Sequence, residues 1–335
     1  MTDKRFDVTG IGNAIVDVVA QADDAFIARH ELPKGAMRLI SADEAEKLYS
    51  AMGPGMEMSG GSAANTIACV AALGGRGAYI GKVAADQLGD VFTHDIRAIG
   101  VTYETSRLSG GLSTARSLIF VTPDAQRTMN TFLGATTQLG PEDVNYGYIE
   151  SSQVLYLEGY LWDQPRAKQA MRDAAVRAKA AGVKVSLTLS DSFCVGRFRD
   201  EFLDLAENHV DILFANESEI LSLYQVERFD DALQKVRAHC EIAALTRSEK
   251  GSVVVAGDEV HVIDAEKGVT VVDTTGAGDA YAAGFLYGYT QGKDLATCGR
   301  LGGVMAAEII SHYGARPTAD VKALAAPILA RARTR

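Results

Sequence analysis

The residues best equipped for chemistry fall in one octapeptide, Asp273-Thr274-Thr275-Gly276-Ala277-Gly278-Asp279-Ala280, which runs straight into the apolar stretch Tyr281-Ala282-Ala283-Gly284-Phe285-Leu286. Glycines just ahead of a helix leave consecutive backbone N–H groups pointing into one space, and the helix start adds roughly half a positive charge there. Such a place attracts phosphate. An Asp in the first helical turn is favoured as the anion, so Asp279 is expected to be ionised at neutral pH and able to accept a proton. Phosphoryl transfer demands mostly positioning and charge stabilisation, so a weak base that takes the proton late suffices. A lone GxGD would more often be only a tight turn with an acidic helix start.

Two further glycine-bearing segments lie upstream. Gly60-Gly61-Ser62-Ala63-Ala64-Asn65 opens a helical stretch running to Leu73; paired glycines let a sugar lie on bare backbone, and Asn65 offers both a donor and an acceptor. The plain alternative is a helix start capped by Ser62. Gly12-Asn13-Ala14-Ile15-Val16-Asp17 follows the first apolar run, and a carboxylate such as Asp17 can take two vicinal hydroxyls at once, with Asn13 beside it. Gly10-Ile11-Gly12 is not a dinucleotide fingerprint, because Ile15 stands where its third glycine belongs. Gly81-Lys82 is not a P-loop end, because Arg76 replaces the leading glycine and Val83 the Ser or Thr that would hold magnesium.

The elements that must position these groups alternate. Short β-branched runs at 7–11, 78–83, 154–158, 183–189, 211–215, 242–246 and 252–256 are interleaved with helical periods near 63–73, 87–99, 166–181, 217–224, 230–240, 277–290, 295–311 and 320–332. This pattern predicts an α/β fold: a doubly wound, mostly parallel sheet with helices on both faces. Residues 14–41 and 101–134 break the rhythm and read as extended and poor in helix. They predict a small β-sheet lid on a single domain spanning 1–335, formed by insertions near 14–57 and 101–134.

Composition narrows the function classes. The 335 residues carry 33 basic and 43 acidic side chains, a formal charge of −10, which leaves no electrostatic footprint for nucleic acid. The tail cations Arg331, Arg333 and Arg335 read as a solvated helix end. No stretch is long and apolar enough to span a membrane, and the start lacks a signal-peptide pattern, so a cytoplasmic location is expected. The four cysteines, Cys69, Cys194, Cys240 and Cys298, are far apart and read as buried thiols rather than a zinc or redox site. Hydrolase signatures, GxSxG and HExxH, are absent.

Taken together, the octapeptide resembles the D-T-x-G-A-G-D signature of the ribokinase-like (PfkB) kinase family, and Gly60–Asn65, with Gly81 and Gly89 beyond it, resembles that family's N-terminal G-G-x-x-x-N motif. Gly12–Asp17 is similar to its G-x-x-x-x-D. The resemblance implies that Asp279 is the catalytic base, that Gly276, Ala277 and Gly278 form the anion loop, and that Asn13, Asp17, Gly60, Gly61 and Asn65 bind the acceptor. It also implies that Arg127 meets the transferred phosphate, although a solvated turn arginine is nearly as good a reading. Asn216 and Glu219 resemble the family's N-x-x-E, which shapes the Mg²⁺ environment through water. Thr246 and Gly251 resemble its T-x-G-x-x-G at ATP, with Ser248 replacing the usual glycine. Tyr313–Pro317, with Asp273, Thr275 and Gly314, is similar to the loop enclosing a monovalent cation such as K⁺ in many relatives.

The resemblance runs from Phe6 to about Pro317 and leans to the adenosine kinase branch, through Glu31–Met37, Glu158–Leu161, Leu187–Phe193 and Asp211–Glu219. It implies transfer from ATP to a nucleoside 5′-hydroxyl, adenosine to AMP, with Met37, Leu133, Leu161 and Phe193 as candidates to sandwich the purine. Met37 departs from the polar residue expected at its place. A sugar kinase of the same family, of ribokinase or fructokinase type, shares every phosphate-side motif and stays open, as does a non-catalytic binding protein. The expected partner is a small acceptor, without nucleic acid or membrane, for a monomer or homodimer.

Overall fold

The computed structural model describes residues 4–124 and 126–332; the chain start at 1–3 and the tail residues Arg333 and Arg335 lie outside the described residues. Its strands, in chain order, are β1 (Phe6–Ile11), β2 (Ile15–Gln21), β3 (Met37–Leu39), β4 (Gly55–Gly60), β5 (Gly77–Ile80), β6 (Thr102–Tyr103) and β7 (Ala115–Val121), followed by β8 (Arg127–Phe132), β9 (Ser152–Glu158), β10 (Lys184–Thr188), β11 (Ile212–Asn216), β12 (Ile242–Thr246), β13 (Ser252–Ala256) and β14 (Glu259–Ile263). Nine of them form one sheet in the order β14-β13-β12-β11-β10-β9-β1-β5-β6, parallel from β12 to β6. The strands β13 and β14 are antiparallel additions at one edge. Strand β1 is buried at all six positions, as a strand with helices on both faces must be.

Two hydrophobic layers sandwich this sheet. On one face Leu155, Leu187 and Leu213 meet Ala170, Met171 and Ala174 of the helix Pro165–Ala180. On the other, Val8, Tyr156 and Phe214 meet Ile67, Phe285 and Leu301 of the helices Ser62–Ala72, Ala277–Thr290 and Leu295–Ile309. Connections run outward in opposite directions from β1 and β9, so the crevice where ligands collect in such sheets opens at the carboxyl ends of these two neighbours.

The remaining five strands make a separate sheet, β3-β8-β7-β2-β4. One face, with Val18, Leu118, Phe120 and Phe132, is covered by Ile27, Ala45 and Leu48 from the helices Asp24–Arg29 and Ala42–Ala51. The first of these helices corrects the helix-poor reading of 14–41. Its stop and start are local: Asp23 caps it by accepting the Phe26 N–H at 2.7 Å, and a six-residue helix is too short to show a period. Cross-strand pairing puts Asp17 beside Met58 and Ser117, Val19 beside Met56, Ile119 beside Met129, Met129 beside Met37, and Val121 beside Arg127. Paired residues point to the same side, so the uncovered face carries Asp17, Arg127 and four methionines.

The helix Ser192–Asn208 is a second departure from the sequence reading. It is broken internally at Phe198 (φ −124°, ψ 28°), which disrupts the single apolar period expected of so long a helix. Among the described residues, no helix is long and apolar enough to cross a membrane, and all four cysteines are buried.

Candidate active site

The helix Ala277–Thr290 begins at Gly276, whose φ of +77° lies in the left-handed region and whose missing Cβ would collide with Ala315. A Cβ at Gly278 would meet nothing within 4 Å, so the helix start faces open space there. Its first N–H groups, apart from that of Ala277, which donates to Thr274 O at 3.2 Å, have no helical acceptor. The 276–278 loop therefore turns on a left-handed glycine and opens the helix start toward free space beside Gly278.

Asp279 stands in the first turn of that helix and is tied to the neighbouring helix. Ser62 Oγ donates to its Oδ1 at 2.6 Å, Asn65 Nδ2 donates to its Oδ2 at 3.1 Å, and Thr66 Oγ1 donates to its backbone carbonyl at 3.2 Å. Ser62 is thus not the helix cap. Gly61 holds that position with φ +91°, pressed so close to the Asn13 carbonyl that any side chain would clash. Enclosure by protein drives the Asp279 carboxyl up to about 6, against the pull of the Ser62 and Asn65 hydrogen bonds. The expectation that the helix start would simply favour the anion gives way here to desolvation, although the group is still mostly ionised at pH 7.

At the carboxyl end of β9, Glu158 does what no motif indicated. Its buried carboxylate takes the Ala63 N–H at 2.8 Å, the Asn13 amide Nδ2 at 2.7 Å and the Asn13 backbone N–H at 3.3 Å. It thereby binds the first loop to the start of the helix Ser62–Ala72, and burial pushes it up to about 7. Gly12 has no room for a side chain because Glu158 and Ala63 lie where its Cβ would be. Asp17 reaches the same region from the second sheet and rests over Gly60, whose Cβ would come 2.5 Å from Asp17 Oδ2. Desolvation raises Asp17 to about 7, opposed by the charges of Arg127 and Arg316. Asn65 Oδ1 is buried with no partner, an acceptor facing this space.

Arg127, the first residue of β8, crosses from the second sheet to the core. Its Nη1 pairs with Asp273 Oδ1 at 2.7 Å and also donates to Thr275 Oγ1, while its buried Nε has no partner. Asp273 further accepts the Thr275 N–H at 3.0 Å and the Gly314 N–H at 3.4 Å. The oxygens of Asp273 and Thr275, named above for a monovalent cation, are in this arrangement held by a guanidinium.

On the far side of the loop, Asn216 and Glu219 form a reciprocal cap on the helix Glu217–Tyr224: Asn216 Oδ1 accepts the Glu219 N–H at 2.9 Å, and Asn216 donates to both Glu219 oxygens, at 2.6 and 2.9 Å. Burial raises Glu219 to about 7. Thr246 ends β12, and Gly251 (φ +79°) turns the chain where a Cβ would strike the Ile263 carbonyl. Ser248, standing for a glycine, adopts φ +51°. Among the described residues no group of three or more His, Cys, Asp or Glu is gathered to hold a metal ion.

The four apolar candidates are not brought together. Met37 lies half-exposed on the uncovered face of the second sheet, and Leu133 is partly buried just after β8. Leu161 is fully buried in the core, and Phe193 is 67% exposed with the Arg197 guanidinium 4.4 Å from its ring centre. Met56, Met58 and Met129, missed in the sequence, share the face of Met37; strand alternation around Asp17 is the signal that would have found them.

A sequence profile described as pfkB family carbohydrate kinase matches residues 38–322. The crystal structure of adenosine kinase from Sinorhizobium meliloti is 56% identical, with a TM-score of 0.92 over 96% of this chain and 99% of its own. A probable sugar kinase protein from Rhizobium etli CFN 42 is 54% identical, with a TM-score of 0.92 over 97% of this chain and 98% of its own. The adenosine kinase of Saccharomyces cerevisiae is 26% identical over 333 residues, 91% of this chain and 94% of that protein.

Proposed function

The chain belongs to the pfkB family of carbohydrate kinases, and we propose that it transfers the γ-phosphoryl group of ATP to the 5′-hydroxyl of a nucleoside, adenosine giving AMP. One observation carries the reading: a carboxylate at the start of a glycine-loop helix is gripped by Ser62 and Asn65, the helix that also meets the acceptor-side residues Asn13 and Glu158. The similarity to the Sinorhizobium meliloti adenosine kinase supports adenosine as the acceptor.

In this mechanism the acceptor lies against Gly60 and Gly61, with its vicinal hydroxyls on Asp17 and its 5′-hydroxyl between Asn65 and Asp279. A carboxylate has about four lone-pair sites, so Asp279 keeps capacity beyond its bonds to Ser62 and Asn65. The hydroxyl oxygen attacks the γ-phosphorus, the bond to the β,γ-bridging oxygen breaks, ADP departs, and the hydroxyl proton passes to Asp279. The N–H groups of the 276–278 loop and the free Nε of Arg127, itself anchored on Asp273, stabilise the charge growing on the phosphoryl oxygens. Asn216, Thr246 and Gly251 border the nucleotide. Met37, Leu133, Leu161 and Phe193 are the proposed purine contacts, of which Leu161 needs a rearrangement to reach a ligand.

Mg²⁺ fits as a companion of the triphosphate rather than as a resident of a protein cage, with Glu219 acting through water; when bound it neutralises phosphate charge. A K⁺ at Asp273, Thr275 and Gly314 does not fit while Arg127 fills that place. The second sheet, whose strands lie within 15–60 and 115–132 of one domain and so reach past the expected bound at 57, serves as a lid whose approach excludes water and suppresses ATP hydrolysis.

The description of the Rhizobium etli protein favours a second reading, a sugar acceptor. A coupled ADP-release assay over adenosine, inosine, guanosine, ribose, fructose and a blank separates the two. Turnover with adenosine well above ribose and fructose is expected; turnover with a free sugar alone overturns the nucleoside assignment.

A further inference from the structure

Arg316 lies in the Tyr313–Pro317 segment without a role of its own there, yet its loop touches both halves of the site. Gly314, with φ +94°, lies against the sulfur of Met58, 3.3 Å from where a Cβ would stand. Met58 is the direct cross-strand neighbour of Asp17. The next residue, Ala315, packs on Gly276 at the mouth of the anion loop. Arg316 is thereby delivered to the root of the second sheet, where the carboxylates that feel its charge are Asp95 and Asp17. Asp95 is tied to that root by the Ser59 hydroxyl at 2.7 Å. Nε and Nη2 of Arg316 are both buried without a partner, whereas Arg127 is committed to Asp273 and Thr275. A buried guanidinium with unmade hydrogen bonds carries a standing desolvation penalty, and a polar ligand or a charge partner in the cleft would relieve it.

We propose that Arg316 is a positioning residue for the acceptor: its uncommitted guanidinium is the counter-charge that keeps Asp17 fit to receive the hydroxyl hydrogens of a bound ribose. Arg127 acts on Asp17 as well, and more strongly, but part of its charge is offset by Asp273, to which it is bonded, so Arg316 supplies counter-charge that Arg127 does not. The inference rests on the acceptor role proposed for Asp17 and adds a residue through which that role is set.

The test is a double-mutant cycle read in steady-state kinetics, with adenosine as the probe, or with whichever acceptor of the panel the wild type turns over. Arg316→Met is expected to raise acceptor KM about tenfold, the scale of one charge contact at intermediate dielectric, while kcat falls less than threefold (~0.6 kcal/mol). Arg316→Lys should recover most of the loss. In an Asp17→Asn background, adding Arg316→Met should change KM less than about twofold, because the partner it serves is gone. An unchanged KM in Arg316→Met, or an equal rise with and without Asp17, overturns the inference while leaving the kinase reading intact. An unchanged KM in Asp17→Asn alone removes the acceptor role of Asp17 and this inference with it. If Arg316→Met does not fold, Arg316→Gln and Arg316→Lys, checked by thermal melting, carry the same cycle.

Discussion

At the end of the cleft proposed for the acceptor, Asp17, Glu158 and Asp279 are carboxylates all raised to about 6 or 7 by burial, and Glu158 and Asp279 are bound into networks with Asn13, Ser62 and Asn65. At the end proposed for the nucleotide, Asn216 and Thr246 sit at open strand ends, and the chain turns through Ser248 and Gly251 in left-handed backbone. The first end is written in side-chain charge and the second largely in backbone shape. Glu219 is the exception, a buried carboxylate on the nucleotide side whose oxygens are taken by Asn216. Substitutions that keep shape but change charge should therefore be severe at the acceptor end and mild at the other.

The largest expected effect is Asp279→Asn. The amide can keep contact with Ser62 yet cannot take the hydroxyl proton, so kcat should drop by about two to four orders of magnitude. Acceptor affinity, measured by equilibrium titration, should stay nearly constant. Near-normal turnover would remove Asp279 as the base and with it the contrast between the two ends.

Next comes Asp17→Ala. Losing hydrogen bonds to a charged group costs about 1.5–3 kcal/mol, which corresponds to an acceptor KM roughly one to two orders of magnitude higher. The ATP KM should hardly move if the two ends are independent. Comparable rises in both would mean that Asp17 shapes the whole cleft.

A pH series sharpens the comparison, because activity and stability should run in opposite directions. As the proposed base Asp279 must be ionised, so kcat should fall as pH drops through about 6. For stability, the folded-state values of Asp17, Glu158, Glu219 and Asp279 all lie above those of free carboxyls. The folded protein then holds more protons than the unfolded chain across this window, and stability from these groups is fully present below about pH 4 and lost as pH rises through 6 to 7. Depressed carboxyls such as Asp124 and Glu217 act in the other direction, but only at lower pH. Thermal melts should therefore show a higher Tm near pH 5.5 than near pH 8, while turnover shows the reverse. A Tm that falls between pH 8 and 5.5 would contradict the burial of these carboxyls.

Much of this was legible in the sequence for a physical reason. Strands buried on both faces are continuous apolar runs, so the parallel β12 and the antiparallel β13 appear with the expected bounds and β1 within a residue. Glycines at Gly61 and Gly276 announce themselves because positive φ and close contact tolerate nothing else. Glu158 stayed hidden because a charged residue ending a strand looks like a solvated one until its partners, 95 and 145 residues away, are in place. The same is true of the methionine face, which exists only once β2, β4, β7 and β8 are in register. Arg127 was named from the family resemblance, but its anchoring on Asp273 was not foreseeable, since the pair joins the second sheet to a loop distant in sequence.

The smallest expected effect tests the backbone-built end. Ser248 holds φ +51° where an L side chain is strained by roughly 1–2 kcal/mol, and Ser248→Gly relieves that strain while enlarging the conformational freedom of the unfolded chain. The two nearly offset, leaving a net gain of up to about 1 kcal/mol, read as a small rise in Tm. Removing the side chain also lets the backbone come nearer a bound phosphate, so the ATP KM should fall modestly and the acceptor KM should stay put. A fall in stability together with a higher ATP KM would show that the serine hydroxyl, rather than the turn it strains to make, is what this end of the cleft relies on.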